Sequence, residues 1–148
     1  MSVRLKIAAF SAVAVGATGL IGVPNAMAAD GGRPITVEMT GSAERPGPGD
    51  PDGSGTAMLK VNPGQAEVCY VITVADIDPA TAAHVHRAPT TVAGPVVIPL
   101  AAPTSGSSSG CAAVTRELAL ELVRSPGDFY VNVHNAAYPA GAVRGQLG

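Results

Sequence analysis

Turn-forming residues cut this chain, from residue 35 onward, into short segments at fairly even spacing, the mark of an all-β sandwich or barrel. Ile35 to Gly41 alternates Ile, Val and Met with Thr and Glu and reads as a first strand. Arg45 to Gly55 is dense in Pro, Gly and Asp and reads as a loop. Gly55 to Val61 and Ala66 to Ala75 read as a hairpin turned by Asn62-Pro63-Gly64. Ile77 to Thr81 is a turn leading into a strand around His84. After Arg87 a loop runs to Gly94, and Pro95 to Leu100 is an apolar run whose prolines suit a sheet edge. Residues 101 to 110, rich in Ser and Gly, read as a flexible loop before a strand at Cys111. Arg116 to Arg124 is the one helix expected: Leu118, Leu122 and Val123 fall at helical spacing, and Pro126 and Gly127 stop the run. Asp128 to His134 and Ala142 to Leu147 read as the last strands, joined by a turn around Pro139-Ala140-Gly141. The expected fold is therefore an antiparallel β-sandwich or barrel with one short helix near residues 116–124.

The first 28 residues have a different character. Arg4 and Lys6 form a short basic start, residues 7–23 are almost wholly apolar or small, and Ala26-Met27-Ala28 fits a small-x-small cleavage site. This predicts a signal peptide over residues 1–28, removed on secretion, and a single domain over residues 29–148. A retained membrane anchor is the alternative, but Gly16, Gly19, Gly22 and Pro24 interrupt the apolar run.

Without Arg4 and Lys6 the remaining chain carries seven bases against eleven acids. That balance argues against nucleic acid as a partner and leaves no polybasic stretch for an anionic membrane. With no Trp, two Phe and three Tyr in the sequence, the core must be aliphatic, which favours strands. Secretion also places Cys69 and Cys111 where disulfides persist. A bridge between them would close a loop of about 40 residues, worth roughly 3–4 kcal/mol; two buried free thiols are the alternative.

Two of the strand segments hold all three histidines. Residues i and i+2 of a strand point to the same side, so His84 and His86 share one face, and Tyr130, Asn132 and His134 share another. If those faces meet, three imidazoles converge. Neutral imidazole suits copper and zinc, so His84, His86 and His134 are candidate ligands, with water or Tyr130 completing the site. Asp76, Asp78 or Asn132 would orient the rings. The competing reading is a hydrogen-bonded polar cluster of the histidines with Tyr130, Asn132 and Arg144 that fixes the strands, Arg144 pairing its fork with a carboxylate or carbonyl oxygen. Other chemistry is thinly represented. The Ser105 to Ser109 run resembles no nucleophile elbow, Glu117 and Glu121 are a solvated helix face, and Asp50 and Asp52 lack calcium-loop spacing.

The order of Gly55, Val68-Cys69-Tyr70-Val71, Thr81 to His86, Gly94 to Val97, Gly110-Cys111, Tyr130 to His134 and Pro139 to Leu147 resembles the chordin-type domain known as CHRD, over residues 35–147. The resemblance implies a β-rich extracellular module, found alone in secreted bacterial proteins and repeated in chordin. It also implies that His84, His86, Tyr130, Asn132, His134, Arg144 and Gly145 are recurring positions. A weaker similarity, to copper/zinc superoxide dismutase, rests on the His-x-His, the following Gly94-Pro95 and a distant third histidine. The dismutase copper takes four histidines and its zinc further ones, whereas this chain has three in all, which argues against that activity. The resulting expectation is a secreted, non-catalytic binding or envelope-associated module whose partner is an extracellular protein or envelope component. The alternative is a carrier or redox protein holding one copper or zinc ion on three histidines.

Overall fold

A computed structural model describes residues 31–148, so the expected signal segment lies outside the described residues. Eight strands form in chain order: β1 Arg33–Thr40, β2 Ser54–Asn62, β3 Glu67–Ala75, β4 Ala80–Arg87, β5 Val96–Leu100, β6 Ser107–Ala113, β7 Phe129–Asn135 and β8 Val143–Gln146. Among the described residues one α-helix, α1 Arg116–Arg124, lies between β6 and β7, and short 3-10 turns occur at Gly41–Ala43 and Pro126–Asp128. All strand pairs are antiparallel, in the spatial order β5-β4-β7-β8-β1-β2-β3-β6. The two edge strands approach each other at Ala101. Its N–H donates to Tyr70 Oη at 2.8 Å and its carbonyl accepts from Ser108 Oγ at 2.8 Å, so the sheet curls into a nearly closed barrel.

Alternation sets the barrel's two faces. Ile35, Val37 and Met39 of β1, Ala57, Leu59 and Val61 of β2, and Phe129, Val131 and Val133 of β7 turn inward and are buried. Helix α1 packs against this core through Ala119 and Leu122, and its N-terminus is capped by the Thr115 hydroxyl, which accepts from the Leu118 N–H at 3.1 Å. The β2–β3 hairpin turns at the expected Asn62-Pro63-Gly64, where Asn62 Oδ1 accepts from the Gln65 N–H. Among the described residues no helix is long and apolar enough to cross a membrane.

One expected loop is a strand in part. Ser107 to Gly110 belong to β6, paired with β3 from Thr73↔Ser107 to Tyr70↔Gly110. Small polar residues carry little strand propensity of their own. Here the exposed edge of β3 supplies the ladder hydrogen bonds, and the alternating exposure of β6 marks it as a one-sided edge strand. Cys69 and Cys111 lie directly opposite in that pairing and form the disulfide.

Candidate metal centre on the outer face

The β4–β7 register aligns His84 with Asn132, His86 with Tyr130 and Ala82 with His134. The two alternating runs are thus neighbours on one face of one sheet, and their side chains meet laterally on the outside of the barrel. Alternation along β7 would leave that face solvated, yet Tyr130 and Asn132 are each only 2 % exposed. The loop from Ala88 to Pro95 covers them, as does the Glu44 side chain from the β1–β2 connection.

The imidazoles converge. Ring centroids of His84 lie 5.5 Å from His86 and 5.0 Å from His134. One ring nitrogen from each of the three comes within 4.8 Å of the others. Hydrogen bonds to carbonyls decide which nitrogens are free, because a carbonyl oxygen only accepts. His86 Nδ1 donates to the Gly94 carbonyl at 2.8 Å, and His134 Nδ1 donates to the Pro139 carbonyl at 3.1 Å. In the neutral rings both Nε2 atoms then carry lone pairs. His134 Nε2 lies 3.1 Å from His84 Nδ1, close to the spacing of roughly 3.3 Å between two ligands held tetrahedrally by bonds of 2.0–2.1 Å. His86 Nε2 is buried and has no hydrogen-bond partner. Burial pushes the pKa values of both His84 and His134 down. The neighbouring histidines push them the same way, while the Pro139 carbonyl opposes this at His134. Both rings are thereby biased to the neutral, ligating form.

The groups that orient His86 and His134 are backbone carbonyls, in place of the expected Asp76, Asp78 or Asn132, and His84 bonds to the His134 ring itself. The two aspartates lie in the β3–β4 turn, and Asn132 is within hydrogen-bonding reach of Glu44. Tyr130 is also not oriented as a ligand. Its ring stacks flat on His86, 4.7 Å between centroids and 5° from parallel, and its hydroxyl accepts from the Gly94 N–H at 3.2 Å. On the ring's other face sits the Arg144 guanidinium, 3.4 Å from the centroid. The Arg144 fork does end on carbonyls: Nη1 donates to Val92 O at 3.0 Å and Nη2 to Pro89 O at 2.9 Å. Its pKa is held below the ordinary arginine value by burial, against the opposing pull of Tyr130 and Glu44.

Glu44 is a member of this layer that the sequence did not reveal. It is 2 % exposed, its Oε1 has no hydrogen-bond partner, and desolvation raises its pKa to about 7 despite Arg144 nearby. It fits only because residue 141 is glycine: a Cβ there would run into the Glu44 carboxyl group, and the backbone φ of +146° is one that side chains rarely adopt. A cleft of about 250 Å³ opens beside it, between residues 44–48 and 137–141, next to the turn whose Pro139 carbonyl holds His134.

The same stretch of chain carries the family resemblance. The family model for the CHRD domain matches residues 35–147, which takes in all eight strands but the first two residues of β1. No curated protein and no solved structure matches the chain. The three histidines, Tyr130, Asn132 and Arg144 all fall inside the matched region, on one face of the barrel. The chain belongs to the CHRD domain family.

Proposed function

We propose that this chain is a secreted metal-binding module in which His84 Nδ1, His86 Nε2 and His134 Nε2 hold one copper or zinc ion. The observation that carries this reading is the buried lone pair of His86 Nε2. An unpaired buried polar atom costs about 1–3 kcal/mol, and here it faces two other imidazoles while its own Nδ1 proton is fixed on a carbonyl. A ring that donates one N–H to a backbone oxygen and leaves the other nitrogen bare is the usual arrangement of a ligating histidine. On binding, the hydrogen bond between His84 Nδ1 and His134 Nε2 gives way to two bonds to the ion. His84 then carries its proton on Nε2.

Three imidazoles leave a fourth position for water or an exogenous ligand, as in a carrier or an exchange-competent site. The disulfide agrees with an extracellular setting. Elemental analysis of the purified protein, with Cu(II) and Zn(II) titration, tests the reading. One ion per chain at micromolar affinity or tighter is expected, with His86→Ala weakening it at least tenfold. Absence of both stoichiometric metal and micromolar binding in the wild type would sink it. In that case the histidines serve only to join strands, and His86→Ala lowers thermal stability with no metal-dependent component.

A further inference from the structure

The β4–β5 loop, residues 88–95, is tied down peptide by peptide to side chains of the outer face. Gln146 Nε2 donates to Ala88 O at 2.8 Å, and Arg144 takes the Pro89 and Val92 carbonyls. Gly94 is held from both sides: its N–H donates to Tyr130 Oη, and its carbonyl accepts from His86 Nδ1. Only glycine can come this close, since a Cβ at residue 94 would overlap the Arg87 carbonyl and the Ala88 side chain. One residue, Gly94, therefore bears through its N–H and its C=O on the two stacked rings, Tyr130 and His86, and the Arg144 guanidinium presses on the far side of that stack.

We infer that this loop is the support of the metal centre, and that Tyr130 and Arg144 are positioning residues that act on the ion through Gly94 and His86. The inference rests on the metal reading given above. An ion on His86 Nε2 draws charge from the ring and strengthens the bond from Nδ1–H to the Gly94 carbonyl. Ion binding thus tightens the loop. By reciprocity, the ordered loop favours the ion by the same factor, so loosening the loop weakens ion binding, by that factor at most. Arg144 offers no lone pair, so its influence on the ion is indirect. The sign of that influence is diagnostic. Were the guanidinium merely a nearby cation, removing it would tighten binding of a dication, whereas loss of the loop's anchor weakens it.

The test is Zn(II) titration of the full-length protein, its Tyr130→Phe variant and its Arg144→Met variant. Hydrogen exchange of residues 88–95 is measured with and without Zn(II). Tyr130→Phe keeps the stacked ring and removes only the hydroxyl on Gly94. Both variants should bind Zn(II) about tenfold or more weakly, within the range seen when outer partners of metal ligands are removed. Zn(II) should slow exchange at Gly94 and across the loop in the wild type. Wild-type Zn(II) binding with unchanged loop exchange, affinities equal to wild type in both variants, or tighter binding by Arg144→Met would each overturn the coupling while leaving the metal site standing. A wild type that binds no Zn(II) overturns both. Should Arg144→Met fail to fold by circular dichroism, Tyr130→Phe alone decides.

Discussion

The least expected residue is Glu44, a carboxyl group buried in a layer that also holds Arg144. Unfolded, it ionises near 4.5; folded, near 7, because burial disfavours the charge more than Arg144 favours it. Between those values folding takes up a proton, so this group's contribution to stability falls as pH rises from about 4.5 to 7 and is flat above. The change is on the order of 3 kcal/mol. His84 and His134, with lowered pKa values, act in the opposite sense and weaken the fold as pH drops below 6.5. Comparing wild type with Glu44→Gln cancels them. In urea unfolding at pH 4.5 and pH 8 the variant should gain on wild type by about that amount toward the higher pH; parallel profiles would show that Glu44 ionises normally. The histidines were legible because strand alternation is a local rule that survives folding. Glu44 was not, because it lies at the edge of a Pro- and Gly-rich connection whose path over the sheet is set by distant contacts such as Gly141. Nor could alternation foresee that both faces of β7 are buried, since the cover over Tyr130 and Asn132 is a loop read only as a connection.

Among the elements, β6 is the one that depends most on its neighbour. It has pairing on one side only, small side chains, and one covalent tie, Cys69–Cys111, closing a separation of 42 residues. In the chain-entropy view that loop is worth about 4 kcal/mol. Replacing both cysteines by serine should lower stability by up to that amount, and protection from hydrogen exchange should fall first along Ser107–Ala113. Uniform loss across all strands would mean that β6 does not open separately. The helix Arg116–Arg124 was readable to the residue because the apolar spacing and the Pro126-Gly127 stop are both local signals that agree on one short run. The start of β6 was not, because Ser107 to Gly110 owe their conformation to the β3 edge. The element that feeds the centre, β4–β7, was readable as two strands but not as a pair, since register is a non-local property.

At the scale of the molecule, the short strand β8 joins the two parts of the sheet. One side of it pairs with β7, which leads to β4 and β5; the other meets β1, which leads to β2, β3 and β6. Truncation after Gly141 removes this bridge, Arg144 and the buried Val143 and Leu147 together. The shortened chain should show no cooperative thermal transition; a wild-type-like melt would mean that β7 can close directly on β1. All-β character and the α-helix at Arg116–Arg124 were readable, whereas strand order was not, because the sequence does not state which strands of a barrel become neighbours.

The opposite side of the barrel carries its own consequence. A sheet that stops short of closing offers a row of unpaired peptide groups to any extended chain, including another copy of itself. Here the N–H and the C=O of Ala101 are both taken by hydroxyl groups, from Tyr70 and Ser108, and Pro99 has no N–H to offer on β5. A foreign strand entering the gap would have to displace those bonds before it gained any. Two hydroxyl groups and a proline thus shield the seam against fibre growth and strand exchange.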